Sequence, residues 1–236
     1  MFNDGATMSP YVGTGLAILL HDASSVARRY IEKAFDEQVE SAVLHVAMAY
    51  SRFLPKDRFS QFDIDSIKVL VESASGAVVK MAAGALGNLA QKNRGAALNL
   101  VGFINFEASE AAADEHLMWL NSNQALMIEN LSPAQSEKIL KRLVPLYSVE
   151  GYWIKEFVRK IFTKDAQSVL VFFMARVLHA LTVGKSEYMP IPFDNYPGQK
   201  FKLSDIPNCA EAIRGLLEQA RPHSGDILFC YLRPAL

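Results

Sequence analysis

The feature that most constrains the fold is a small-residue, apolar segment at positions 76–90, GAVVKMAAGALGNLA. Its apolar side chains recur at the spacing of one helical face, which predicts a helix with one side packed in the core. These residues are Val78, Ala82, Ala85, Leu86 and Leu89. A glycine inside a helix costs about 1 kcal/mol relative to alanine, so packing must compensate for Gly84 and Gly87. We therefore expect a helix sandwiched between neighbours that approach its backbone closely.

Helical periods and helix-capping residues recur along most of the chain, and no strand-like alternation bounded by hairpin turns is present. The sequence therefore predicts an all-α fold. The predicted helices cover roughly residues 16–20, 25–35, 37–54, 64–73, 77–90, 96–106, 109–121, 133–144, 149–162, 166–182 and 207–220. Residues 59–65 are predicted to form a loop, and Gly184 is predicted to end the helix before it.

A weak internal repeat links the segment 37–54 to the small-residue segment. A shift of 36 residues (42 to 78) places Ala42 on Val78 and Val43 on Val79. The same shift pairs Val46 with Ala82, Ala47 with Ala83, Tyr50 with Leu86 and Phe53 with Leu89.

At the small-residue segment the chain resembles the second helix of a HEAT or armadillo-type repeat. That pattern has a valine pair, an alanine pair and then Ala-Leu-Gly-x-Leu, which are here Val78-Val79, Ala82-Ala83 and residues 85–89. The match covers about one helix well. The resemblance implies a right-handed α-solenoid of stacked helical hairpins, a HEAT-like superhelix, whose curved surface binds another protein.

Composition changes near the C-terminus and divides the chain into three predicted parts. Residues 1–184 form the helical-repeat array, and residues 185–203, which contain three prolines and no helical period, form a long loop. Residues 204–236 are predicted to form a C-terminal helix and an apolar tail packed on the array.

Composition also bears on cellular setting. The net charge is -1, the two cysteines do not form a disulfide framework, and the N-terminus lacks the pattern of a signal peptide. The most apolar run, residues 169–183, is short for a membrane span and contains Arg176 and His179, so it predicts a buried helix. We expect an ordered cytoplasmic protein that does not associate with membranes.

No pattern in the sequence predicts catalysis, a cofactor or a bound metal. Gly184-Lys185-Ser186 lacks the earlier glycine and the strand of a phosphate-binding loop. The five histidines are scattered, and neither cysteine has a histidine nearby in sequence. A small-molecule enzyme is therefore a third possibility without a motif behind it.

Charge is distributed unevenly along the chain. Residues 96–136 contain five acidic residues and no lysine or arginine, whereas residues 137–164 contain seven basic and three acidic residues, a formal charge of +4. Consecutive helices of a solenoid stack side by side, so this switch predicts two neighbouring patches of opposite sign. One interpretation is an ordinary solvated surface; the other is a docking surface that steers a charged partner.

Two functions from different classes follow. The leading hypothesis is a non-enzymatic helical-repeat scaffold that mediates protein–protein interaction, on its own or within a larger assembly. The alternative is a nucleic-acid-binding HEAT-like protein, similar to DNA glycosylases of this fold, whose basic segment 138–164 contacts phosphates. The residues predicted to bind a partner are Lys138, Lys141, Arg142, Lys155, Arg159 and Lys160. In the nucleic-acid alternative, the last five of these contact phosphates, and Tyr152 or Trp153 is available for stacking on bases.

Overall fold

The computed structural model describes residues 10–52, 59–122, 128–184 and 188–190, together with Glu211 and Arg214. Within these ranges the chain is all-α, as predicted, with ten α-helices, two short 3₁₀ helices and no strand. The α-helices are α1 (Pro10–His21), α2 (Ser25–Glu37), α3 (Glu40–Arg52), α4 (Gln61–Val71), α5 (Gly76–Lys92), α6 (Arg94–Val101), α7 (Glu110–Ser122), α8 (Pro133–Leu143), α9 (Tyr152–Lys164) and α10 (Ala166–Val183). The 3₁₀ helices are Phe106–Ala108 and Ile128–Asn130.

The chain divides into two compact units, Met1–Leu131 and Ser132–Leu236. Unit 1 contains α1 to α7 and unit 2 contains α8 to α10. Most of the predicted loop 185–203 and of the predicted C-terminal part lies outside the described residues. Of that C-terminal part, only Glu211 and Arg214 are described, and both are helical.

The odd-numbered helices of unit 1 pack on one another in sequence order. α3 lies between α1 and α5, and α5 lies between α3 and α7. Of the even-numbered helices, α2 contacts α1 and α3, α4 contacts α3 and α5, and α6 contacts α4 and α5. The predicted apolar face of α5 is fully buried, so the prediction of a sandwiched helix is confirmed.

A glycine lies at each contact between successive odd-numbered helices. A Cβ atom on Gly87 of α5 would lie 2.4 Å from Cε3 of Trp119 on α7, closer than real Cβ atoms come to another atom. At Gly84 it would lie 3.0 Å from Cβ of Ser51 on α3. On α1, a Cβ atom at Gly13 would lie 2.5 Å from the sulfur of Met48. The absence of a side chain therefore sets the close approach of these helices.

Buried positions repeat along three of these helices. Five positions of α3 and the positions of α5 that follow by 36 residues (42 to 78) are all buried, which agrees with the predicted repeat. A further shift of 34 residues (78 to 112) extends the pattern to α7, which the sequence did not reveal. Phe53, the last position of the predicted repeat, lies outside the described residues. The sets are 42, 43, 46, 47 and 50; 78, 79, 82, 83 and 86; and 112, 113, 116, 117 and 120.

Two buried polar side chains bridge the same helices. Asn88 on α5 donates from Nδ2 to the carbonyl oxygens of Tyr50 (3.0 Å) and Ser51 (2.8 Å) near the end of α3. His116 on α7 donates from Nε2 to the carbonyl oxygen of Val79 on α5 at 2.7 Å. Because a carbonyl can only accept, Nε2 must carry the proton. These bonds fix the register of each helix against the preceding one.

Helix ends agree with the predicted caps at several positions and differ at others. α1 begins at Pro10 rather than near residue 16, and α6 ends at Val101 rather than near residue 106. Ser132 caps α8, and Gly184 ends α10 in the left-handed conformation, with φ of 61°. α4 begins at Gln61, inside the predicted loop 59–65, because Ser60 and Asp63 form a reciprocal capping box. The prediction of a loop over all of 59–65 is therefore wrong.

Unit 2 is built around a fully buried arginine on α10, which packs against α8 and α9. The Arg176 guanidinium donates to five backbone carbonyl oxygens at 2.6–2.9 Å and lies 4.7 Å from the ring centroid of Tyr188. The acceptors belong to Leu143, Val144, Leu146, Met189 and Pro190. α10 is long and apolar enough, by length and composition only, to cross a membrane. Its arginine face nevertheless lies in the core of unit 2, as the sequence predicts for a buried helix.

Candidate functional site

The six predicted partner-binding residues all lie in unit 2. Lys138, Lys141 and Arg142 are on α8. The other three, on α9, are Lys155, Arg159 and Lys160. Both helices bury an apolar face, so their basic residues lie on the remaining surface, from half-buried to exposed.

Three of these six cations pair with glutamates from the same stretch of sequence. Lys141 Nζ lies 2.7 Å from Glu137, and Lys155 Nζ lies 3.3 Å from Glu150. The Arg159 guanidinium binds both oxygens of Glu156, at 2.9 and 2.5 Å. This hydrogen bonding lowers the pKa of the Glu156 carboxyl below its usual value. The formal charge of +4 is therefore partly compensated within the segment itself.

The acidic residues of the predicted negative patch all lie in unit 1. Glu110, Asp114 and Glu115 are on α7, whereas Glu107 and Glu129 are on the two 3₁₀ helices. The switch of charge sign along the sequence thus coincides with the boundary between the units, at residues 131 and 132. The acidic residues belong to unit 1 and the basic residues to unit 2, so the expectation that the two patches are neighbours stays a prediction.

Unit 1 contains a cleft of about 470 Å³ at one edge of the helical array. α2 and α4 end at this cleft, and α3 and α5 begin there. Its walls combine apolar and polar side chains. The lining residues are Phe35, Gln38, Glu40, Val43, Val69, Glu72, Ser73, Ala74, Ser75 and Val78.

The cleft has an ordered polar rim. The Ser75 hydroxyl caps α5 by accepting from the Val78 N–H, and it donates to Oε1 of Glu40. Glu72, the C-cap residue of α4, is exposed and makes no side-chain hydrogen bond or ion pair with the described part of the chain. The rim therefore offers carboxylate oxygens to a ligand.

The apolar wall of the cleft includes an exposed valine. Val43 and Val78 are buried beneath the surface, whereas Val69 on α4 is 45% exposed. An aliphatic chain placed in the cleft would cover Val69 and remove apolar surface from water. Apolar walls with a few polar groups are typical of binding pockets, which usually measure about 300–1,000 Å³.

Several other ionisable side chains of unit 1 are buried and hydrogen-bonded away from the cleft. The Tyr50 hydroxyl donates to Oδ1 of Asp63 at 2.9 Å, and burial raises the pKa of Tyr50 far above its usual value. Tyr30 and His45 are joined at 3.2 Å, and burial lowers the pKa of His45. Burial also lowers the pKa of His116 to about 4, so its imidazole is neutral near pH 7. None of these groups lines the cleft.

The parts of the chain that the structure describes contain no group of three or more His, Cys, Asp or Glu side chains suited to a metal ion. Cys209 and Cys230 lie outside those parts. Comparisons of the whole chain with protein-family models, with curated proteins and with solved structures find no match in any of the three.

Sequence patterns missed the cleft because its residues are spread from position 35 to position 78 over the ends of four helices. Glu40 and Ser75 are 35 residues apart (75 minus 40), yet they are hydrogen-bonded. Both belong to helix starts, where acidic and hydroxyl side chains are common for reasons of capping alone. The sequence therefore did not indicate that Glu40 and Ser75 line the same cleft.

Proposed function

We propose that this chain is a non-enzymatic helical-repeat scaffold that binds a protein partner. The observation that carries the proposal is the packing order in unit 1, where α1, α3, α5 and α7 stack in sequence. Stacked helices of this kind present extended surfaces, which repeat proteins use for binding. A right-handed HEAT-like solenoid is the specific form that we propose for this array.

A protein partner agrees better with the charges than a nucleic acid does. At least three of the six predicted cations are already paired with glutamates, and the net charge of the chain is -1. Nucleic-acid affinity depends on neutralising phosphates with lysine and arginine. The cleft in unit 1, in addition, carries carboxylates, which repel phosphates.

Selection of peptides from a random displayed library tests the proposal. We expect the folded chain to enrich peptides that bind reversibly, and the heat-unfolded chain to enrich none of them. In parallel, fluorescence anisotropy with labelled duplex DNA and single-stranded RNA measures nucleic-acid affinity at 50 and 200 mM salt. Tight nucleic-acid binding that falls steeply between these concentrations would overturn the proposal.

Substitution of the basic residues assigns their role. Replacing Lys138, Lys141 and Arg142 with glutamine should leave the fold intact, because these side chains lie on the surface of α8. If the basic segment steers a protein partner, the substitutions slow association more than they speed dissociation. If it instead held phosphates, they would weaken binding to all sequences and flatten its salt dependence.

A further inference from the structure

We infer that the cleft in unit 1 binds a lysine or arginine side chain of a partner segment, flanked by aliphatic residues. This inference deepens the proposed function and rests on it. Three observations lead to it: the charge of the rim, the free carboxylate oxygens and the apolar wall.

The charge of the lining has one sign. Glu40 and Glu72 are acidic, and none of the described residues that line the cleft is basic. A cationic side chain is therefore complementary to this rim, whereas a phosphate or carboxylate is repelled.

The carboxylate of Glu40 is held in place and remains able to accept. Its Oε1 accepts from the Ser75 hydroxyl, and its Oε2 has no hydrogen-bond or ion-pair partner among the described residues. Glu40 is also the first residue of α3, where the helix macrodipole favours a negative charge. A bound ammonium or guanidinium would find one acceptor already oriented, which reduces the entropy lost on binding.

Helix ends do not reverse this preference. α3 and α5 direct their positive N-terminal ends towards the cleft, but α2 and α4 direct their negative C-terminal ends towards it as well. The two contributions oppose each other, so the side chains set the sign of the local potential.

The apolar wall favours a cationic side chain with an aliphatic stem and apolar residues on either side of it. Lysine and arginine bury their aliphatic stems along apolar surface while the charged head stays near polar groups. Val69, exposed on the wall, and Phe35, half-buried, are available for such a stem or for a flanking leucine. A free metal ion would make no use of this wall.

The test uses two capped tripeptides, acetyl-Leu-Lys-Leu-amide and acetyl-Leu-Gln-Leu-amide, titrated into the ¹⁵N-labelled full chain. We expect the lysine peptide to shift the amide signals of Val43, Gly76 and Val78 and to bind at least five-fold more tightly than the glutamine peptide. Shifts confined to other regions, or equal affinities of the two peptides, overturn the inference.

Variants separate the carboxylates from general charge. In Glu40→Gln and in Glu72→Gln, the preference for the lysine peptide should fall at least three-fold, whereas Glu32→Gln should retain it. Glu32 is an exposed glutamate of α2 that does not line the cleft, so it controls for the loss of one negative charge. Glu40→Gln also alters the hydrogen bond with Ser75, which caps α5, and could therefore affect folding. Glu72→Gln leaves that hydrogen bond intact, so it tests the cleft independently of folding. An unchanged preference in both variants overturns the inference.

Failure of the cleft and failure of the proposed function give different results. If displayed peptides bind the folded chain and their affinity is unchanged by Glu40→Gln and Glu72→Gln, the scaffold proposal stands and the cleft is excluded as their binding site. If the folded chain selects no peptide and instead binds nucleic acid tightly, the scaffold proposal fails whatever the tripeptides show.

Discussion

The sharpest structural prediction concerns two glycine-to-alanine substitutions with opposite surroundings. At Gly87, the new methyl group would lie 2.4 Å from Trp119, and ordinary contact begins at 3.4 Å, so the indole must move by about 1 Å. At Gly15, on α1, nothing lies within 4 Å of the new methyl group. Both substitutions make the same chemical change inside a helix.

The magnitudes follow from two contributions. Replacing glycine by alanine stabilises a helix interior by about 1 kcal/mol, and this gain applies to both variants. Overpacking a filled site costs about 1–3 kcal/mol and applies only at Gly87. The helix contribution cancels in the comparison, so Gly87→Ala should be less stable than Gly15→Ala by about 1–3 kcal/mol.

Urea unfolding followed by circular dichroism, with hydrogen exchange of α5 and α7 amides, measures this difference. Hydrogen exchange is needed because two units need not unfold in one step. Combining Gly87→Ala with Trp119→Leu should restore part of the lost stability, since the smaller side chain leaves room for the methyl group. Equal stabilities of Gly87→Ala and Gly15→Ala would refute the close packing of α5 on α7.

Two further predictions concern buried polar groups. The pKa of His116 is about 4 in the folded protein and 6.5 as a free side chain, so the unfolded chain binds more protons between these values. Stability should therefore fall by up to about 3 kcal/mol as the pH decreases from 6.5 to 4, and His116→Gln should remove this part of the pH dependence in urea titrations. Arg176→Lys should destabilise unit 2 by more than about 2 kcal/mol, because an ammonium has three donors for the five carbonyl oxygens that Arg176 binds. Hydrogen exchange should then become faster in α8 and α10 but not in α3 and α5. An equal change of exchange rates in both units would contradict the role of Arg176.

Local signals in the sequence predicted most helices but not their partners. The burial of α5 follows from its apolar period, and the close approach at Gly87 follows from the cost of a helical glycine. Trp119, the side chain that fills the space, lies 32 residues further on (119 minus 87), so no local pattern connects the two.

The start of α4 and the third repeat show two other limits. Residues 59–65 are mostly polar, and the sequence alone did not show that Ser60 and Asp63 cap each other. In α7 the repeated inward positions include His116, whose polarity hides the apolar pattern although its Nε2 is bonded inside the core. Both misses arise because hydrogen bonds, rather than hydrophobic periodicity, define the structure there.

The hydrogen bonds that Arg176 donates have a consequence for synthesis on the ribosome. Three of its five carbonyl acceptors precede it in the chain, at Leu143, Val144 and Leu146, but the other two, at Met189 and Pro190, are made after it. Unit 1 is complete at Leu131, and domains generally fold in order of synthesis. A nascent chain stalled before Met189 would therefore carry a folded unit 1 and an incomplete unit 2, in which Arg176 still lacks two of its five acceptors.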